Sequence, residues 1–117
     1  MQISTFLLGI LLSCLAHSQE STQSFDEAIS ISKEGDIVGA ESLYLDLLKT
    51  HPKDPHILSN LALLKIQEGK AWHAFALWQK ALHYHPYFAA AKQGIAYLEE
   101  QGAIIPQENW PWYARLY

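Results

Sequence analysis

Residues 21–52 read STQSFDEAISISKEGDIVGAESLYLDLLKTHP, and residues 55–86 read PHILSNLALLKIQEGKAWHAFALWQKALHYHP. The two stretches share eight identities when residue 21 is placed opposite residue 55, which is a 34-residue offset. The identical pairs are Ala28/Ala62, Glu34/Glu68, Gly35/Gly69, Ala40/Ala74, Leu43/Leu77, Leu48/Leu82, His51/His85 and Pro52/Pro86. A fixed period of this length indicates two copies of one supersecondary unit stacked side by side.

Each copy predicts a helical hairpin. In its second half the apolar residues recur at i, i+3, i+4, i+7 and i+8, which is the spacing of one buried helix face. These residues are Ala40, Leu43, Tyr44, Leu47 and Leu48 in the first copy and Ala74, Leu77, Trp78, Ala81 and Leu82 in the second. Gly35 and Gly69 supply the positive φ that the hairpin turn needs, and Pro52 and Pro86 end the two copies.

Helix-capping residues agree with this division. Asp54 followed by Pro55 is typical of a helix start, and Asp36 can cap the helix after Gly35, whereas Lys70 cannot cap its own. After Pro86 comes one more helical pattern, a closing helix with Ile95, Ala96 and Leu98 expected to point inward. We therefore predict an all-α fold, with helices at about 22–34, 38–50, 55–68, 71–84 and 88–101.

The composition excludes several classes of protein. Lys and Arg number 8 against 12 Asp and Glu, so the net charge is −4, and half of the residues are hydrophobic. This argues against a disordered chain and against a polybasic nucleic-acid binder. One cysteine cannot form an internal disulfide. The sequence contains no nucleophile elbow, HExxH or Gly-rich phosphate loop, so neither an enzyme nor a cofactor is predicted.

Residues 1–18 predict a signal peptide. An apolar block runs from Phe6 to Ala16, shorter than the roughly 20 residues of a membrane span. Ala16-His17-Ser18 favours cleavage before Gln19, which implies export. Two alternatives stay open: Leu11-Leu12-Ser13-Cys14 resembles a lipobox, in which Cys14 would be acylated, and the block can also serve as an uncleaved anchor.

The hairpins resemble the tetratricopeptide repeat (TPR). The resemblance is carried by Ala40, Tyr44, Leu47 and Pro52, by Ala74, Trp78, Ala81 and Pro86, and by the stretch Ser59-Asn60-Leu61-Ala62. It implies a TPR domain over residues 19–101, with repeats at about 21–54 and 55–88 and a capping helix at about 88–101. It also implies a solenoid scaffold that accepts a protein or peptide partner on the surface lined by the first helix of each hairpin.

Candidates for that peptide groove follow from the register of the repeats. They are Phe25, Ile29, Ser59, Asn60, Leu63, Ile66, Gln67, Gln93 and Tyr97. Chaperone-binding members of the family hold a C-terminal carboxylate with Lys, Asn and Arg. Only Asn60 matches that clamp here, because Phe25, Ile29, Ala90 and Gly94 stand at its other positions. No carboxylate clamp is predicted, and Asn60 is interpreted as a structural hydrogen-bonding residue.

Four histidines near the turns between repeats raise an alternative, a small envelope enzyme or a metal carrier. They are His51, His56, His83 and His85. In a helix, the rings of His83 and His85 would point roughly 200° apart, and no Cys, Asp or Glu lies close in sequence to His83 and His85 to complete a tetrahedral site. The sequence therefore predicts no metal site.

The tail, residues 102–117, carries two of the four tryptophans. It resembles the segment after the repeats in the E-type proteins of the bacterial aerotolerance (Bat) operons, which implies a periplasmic or membrane-associated scaffold with envelope partners. Two interpretations stay open. Ile104, Ile105, Trp110, Trp112 and Tyr113 can fold back over the last helix, or Trp110, Trp112, Tyr113 and Arg115 can form a patch at a membrane or partner surface.

Overall fold

The computed structural model describes residues 22–104, which form helices and turns without any strand. Residues 22–33 are helical (α1), followed by α2 (Ile37–Thr50), α3 (Pro55–Gln67), α4 (Ala71–Tyr84) and α5 (Ala89–Glu100). The all-α prediction is confirmed, and the end of α1 and both ends of α2 to α5 lie within one residue of their predicted positions. The start of α1 adjoins residue 21, which lies outside the described residues. The chain divides into two compact units between Thr50 and His51.

The odd-numbered helices α1, α3 and α5 end in the same turn. Gly35, Gly69 and Gly102 follow them with φ of 91°, 76° and 67°. The residue after each glycine donates its N–H back to a carbonyl five residues earlier: Asp36 to Ile31 (3.1 Å), Lys70 to Lys65 (2.8 Å) and Ala103 to Leu98 (3.0 Å). This is the Schellman motif, which requires a residue tolerant of positive φ. The closing helix therefore ends like the first helix of a hairpin.

Helices α2 and α3 each begin with an aspartate cap. Asp36 Oδ1 accepts the N–H of Gly39 at 2.9 Å, and Asp54 Oδ1 accepts the N–H of His56 at 2.9 Å. Pro55 is the first residue of α3, and Lys70 makes no side-chain cap for α4. The predicted caps of α2 and α3 and the missing cap of α4 are thus confirmed.

The first unit is a hairpin of α1 and α2. The small residues Ala28 and Ala40 are fully buried, and Tyr44 and Leu47 are buried on the predicted face of α2. Phe25 of α1 lies edge-on to Tyr44, with ring centroids 6.1 Å apart and an interplanar angle of 65°. Edge-to-face contact is a favoured geometry for two aromatic rings.

Trp78 is the largest fully buried side chain of the second unit. Its Nε1–H donates to Ser59 Oγ of α3 at 3.1 Å. Its indole also lies against Gly94 of α5, where an added Cβ would come within 2.5 Å of ring carbons. Both α3 and α5 pack against α4. Trp78 therefore connects α4 to its two neighbours.

The inward face of α5 differs in part from the prediction. Leu98 is buried as expected, but Ala96 is exposed, and the second buried residue of the helix is Ala91. Gly94 faces Trp78, and at 100° per residue Ala96 stands roughly 200° around the helix from Gly94. The contact with the indole sets the rotation of α5, so the prediction for Ala96 was wrong.

Candidate functional site

The exposed face of the first helices carries four of the predicted groove residues in the second unit. Leu63 on α3 and Tyr97 on α5 are 50% and 49% exposed. Gln67, four residues after Leu63, and Gln93, four residues before Tyr97, are also exposed. Leu63 and Tyr97 are separated by one full repeat, so they occupy equivalent positions of successive repeats. Both helices pack against α4, and each presents one large apolar side chain and one amide to solvent.

The other groove candidates are less accessible. Asn60, Ile66, Phe25 and Ile29 are half-buried, and Phe25 packs part of its ring against Tyr44. Ser59 is only 6% exposed. Its hydroxyl accepts the Trp78 N–H, so Ser59 belongs to the core of the second unit and presents no polar group to a ligand.

Gly94, where the sequence predicts no clamp residue, lies against the Trp78 indole. Its missing Cβ would meet three atoms of the Trp78 indole at 2.5 to 2.7 Å. A long cationic side chain therefore has no room there without displacing a buried ring. Ala90, which stands at another clamp position, is exposed but bears no donor.

A second concave feature, an open cleft of about 670 Å³, lies where α3 and α5 begin and α4 ends. We call it the turn cleft; it is lined by His51, Pro52, Lys53, Asp54, Pro55, His56, His85 and Phe88. Two equivalent turns form it. In them the N–H of Asp54 donates to the His51 carbonyl at 3.3 Å, and the N–H of Phe88 donates to the His85 carbonyl at 3.1 Å. His56 and Phe88 pack edge to face, 5.1 Å apart.

A polar contact between His85 and Lys53 joins the two turns. His85 Nε2 lies 3.2 Å from the Lys53 carbonyl oxygen, and since a carbonyl oxygen only accepts, Nε2 carries the hydrogen and donates it. Lys53 Nζ lies 5.5 Å from the centroid of the Tyr84 ring, and Lys92 Nζ lies at the same distance from Tyr87. Both separations are within the range of a cation–π contact. Lys53 thus lines the cleft while its ammonium group lies over the ring of Tyr84 at the end of α4.

The histidines at these turns do not converge on one point. His83 packs edge-on to Tyr84 at 5.2 Å, His56 packs on Phe88, and His85 uses Nε2 for the Lys53 carbonyl. Within residues 22–104, no three His, Cys, Asp or Glu side chains are grouped so that they can hold a metal ion.

Sequence reasoning considered the histidines of the turn cleft and missed Lys53 and Phe88. A signal for the cleft was available. His51/His85 and Pro52/Pro86 are identical pairs at the 34-residue offset, so equivalent turns must lie at the same end of neighbouring hairpins. The residues that follow each proline are then brought to the same edge, which is where Lys53 and Phe88 lie.

Several sequence predictions fall outside the part of the chain that the structure describes. They are the signal peptide of residues 1–18 with Cys14, and the tail patch of Trp110, Trp112, Tyr113 and Arg115. Of the tail, Ile104 is described and is buried. None of the helices between residues 22 and 104 has the length and apolar character needed to span a membrane.

Comparison of the chain with the models of known protein families and with curated proteins gave no significant match.

Proposed function

We propose that this protein is an exported, TPR-like helical scaffold that binds a protein partner in the bacterial cell envelope. It acts by binding and not by catalysis. Its partner is a protein of the envelope or the membrane, and the resemblance of the tail favours a complex of the aerotolerance type. The helical hairpins confirmed between residues 22 and 104 are compatible with this role.

The observation that carries the proposal is the exposure of Leu63 and Tyr97 on the first-helix face. Each has half of its side chain in solvent, and the two occupy equivalent positions of successive repeats. The TPR resemblance assigns partner binding to the first helices, and Leu63 and Tyr97 are exposed apolar side chains there that can pack against another protein. Val38 and Trp72 are also exposed and 34 residues apart, but they lie on α2 and α4. Gln67 and Gln93 add amide donors and acceptors that can bond to a peptide backbone.

Site-specific photo-crosslinking tests the proposal. A benzophenone amino acid is placed at position 63 of the full chain, and a second variant carries it at Trp72 of α4. Trp72 is a matched control because it is 53% exposed and lies outside the first-helix face. After export and illumination in the native envelope, we expect a covalent adduct of defined mass from position 63 and none from position 72.

The same adduct must depend on the rest of the face. Tyr97→Ser combined with the benzophenone at position 63 should remove most of the adduct, while Val38→Ser should leave it unchanged. Val38 is 80% exposed and belongs to α2. Equal adducts from positions 63 and 72, or an adduct insensitive to Tyr97→Ser, would contradict a role for this face.

The proposed location is tested by the mass of the exported product. Cleavage before Gln19 removes residues 1–18, so the mature chain should start at Gln19. A chain that starts at an acylated Cys14 would support the lipoprotein alternative, and retention of Met1 would support the anchor. Recovery of the intact chain only from the cytoplasm would rule out export.

A further inference from the structure

The end of the second unit that contains the turn cleft carries a net positive charge, although the whole protein is acidic. Within residues 51–104, three lysines stand in the halves of the helices and turns near the cleft: Lys53, Lys80 and Lys92. Asp54 is the one carboxylate there, so the local net charge is +2. The remaining charged residues, Lys65, Glu68, Lys70, Glu99 and Glu100, lie toward the opposite end and sum to −1.

Three of the five charged residues at the opposite end pair with one another. Glu68 pairs with Lys70 at 2.9 Å and with Lys65 at 3.6 Å. At the cleft end, Asp54 lines the cleft and accepts the His56 N–H with Oδ1, and the positive end of the α3 dipole offsets part of its charge. Within residues 51–104, Asp54 is therefore the one carboxylate at the same end as these lysines, and its side chain caps α3.

The lining of the cleft is mainly apolar, and its size suits a peptide side chain. Phe88, Pro52 and Pro55 supply carbon surface, and the rings of His56 and His85 flank it. Its volume of about 670 Å³ falls in the range of small-ligand sites, which accept apolar groups and fix them with a few polar contacts. Lys53 lines the cleft, and Lys92 lies one helical turn after the lining residue Phe88, on the same side of α5. Their ammonium groups lie over the rings of Tyr84 and Tyr87.

We propose that the turn cleft is a second binding site, which takes an acidic peptide segment of a partner protein. An apolar side chain of the peptide enters between Phe88 and the two prolines, and its carboxylates meet Lys53 and Lys92. This site lies at the helix ends, apart from the first-helix face of Leu63 and Tyr97. A concave apolar base favours a peptide over a membrane surface, which needs apolar groups that protrude.

Fluorescence anisotropy with a defined probe tests this site. The probe is a fluorescein-labelled peptide of repeated Glu-Glu-Phe-Ser units, and its matched control replaces each Glu with Gln. With the full chain at low ionic strength, we expect the Glu peptide to bind and the Gln peptide to bind at least about fivefold more weakly, because a few exposed charge contacts each contribute modestly. Added salt should weaken the binding of the Glu peptide.

Paired variants assign the effect to the cleft. Lys53→Gln with Lys92→Gln should weaken the Glu peptide about fivefold, whereas Lys33→Gln with Lys49→Gln removes the same charge from the first unit and should leave binding unchanged. Phe88→Ala should weaken both peptides, because it removes apolar surface from the base of the cleft. Circular dichroism checks that each variant keeps its helices, and the charge variants keep the test valid if Phe88→Ala does not fold.

Three outcomes would overturn the proposal. The first is equal affinity for the Glu and Gln peptides, and the second is equal weakening by the two pairs of lysine variants. The third is that the peptide does not bind and that Lys53 and Lys92 are needed for a different association. This would be binding to phosphatidylglycerol vesicles or association between copies of the chain, measured by sedimentation. None of these outcomes bears on the photo-crosslink from position 63, so the two sites fail or stand separately.

Discussion

Ser59 and Gly94 are the two small residues that accommodate Trp78. Ser59 gives the indole N–H its hydrogen-bond partner inside the core, and Gly94 lets the backbone of α5 approach the ring face. A buried indole N–H without an acceptor costs free energy, and a ring pressed against a Cβ at 2.5 Å cannot stay in place. Helix α4 thus packs between its neighbours because Ser59 has a small side chain and Gly94 has none.

Gly94→Ala is expected to destabilise the protein. In an exposed helix interior, alanine is more favourable than glycine by about 1 kcal/mol. At position 94 the new Cβ would overlap the Trp78 ring, so we expect the free energy of unfolding to fall by about 1–3 kcal/mol. Urea denaturation followed by circular dichroism measures it. Gln93→Ala, at the exposed neighbouring residue, is the control and should change stability little; a stabilised Gly94→Ala variant would disprove the close contact.

Ser59→Ala should lower the free energy of unfolding by about 1–3 kcal/mol, because it leaves the Trp78 N–H buried without its acceptor. The cost should largely disappear in a Trp78→Phe background, where there is no N–H to satisfy. A double-mutant cycle of these two positions measures the coupling. Additive effects would mean that the hydrogen bond contributes nothing and that Ser59 has another role.

At the scale of the element, residues at the helix ends determine where most of the helices begin and end. Each of α1, α3 and α5 stops at a glycine with positive φ, and α2 and α3 each start at an aspartate whose side chain accepts an N–H. These contacts form between residues two to five apart in sequence. They therefore do not depend on the rest of the molecule.

Asp54→Ala should remove the cap of α3 and lower the free energy of unfolding by about 1 kcal/mol. Asp54→Asn keeps an oxygen that accepts the His56 N–H, so most of the stability should return. Thermal and urea unfolding of the three proteins provide the comparison. Equal losses for alanine and asparagine would indicate that the charge of Asp54, and not its hydrogen bond, matters.

The locality of these signals explains what could be predicted from the sequence. The 34-residue offset, Gly35, Gly69, Asp36 and Asp54 place the helices to within one residue because each acts on nearby backbone. Ser59 was expected in the groove, since helical spacing gives the position around the axis but not which aromatic ring of a neighbouring helix covers it. Ala96 was placed inward for the same reason. The rotation of α5 depends on Trp78, which belongs to the preceding helix.

At the scale of the whole molecule, the tail has two competing interpretations. Ile104 is buried, so the chain still contributes to the core two residues beyond the turn at Gly102. The aromatic patch that follows is proposed to contact a membrane or a partner. Its other interpretation, a cover for the last helix, predicts a different response to truncation.

Deletion of residues 105–117, which keeps Ile104, should leave the helical circular dichroism and the melting temperature nearly unchanged. The same deletion should abolish association with envelope membranes or the partner, because it removes Trp110, Trp112, Tyr113 and Arg115. Sedimentation with envelope membranes measures this. Trp110→Ala with Trp112→Ala makes the same test at full length. A truncated chain that melts much earlier would identify the tail as a structural cover.

The bare backbone at Gly94 also bears on the order in which the second unit comes apart. No side chain of α5 at that position interlocks with the indole, whereas α3 is tied to it by a buried hydrogen bond. In stacked helices, opening starts where an element has one neighbour and the fewest specific bonds. We therefore expect the amide protons of α5 to exchange with solvent before those of α3 and α4, and the release of α5 to wet one face of Trp78 while its N–H stays bonded to Ser59.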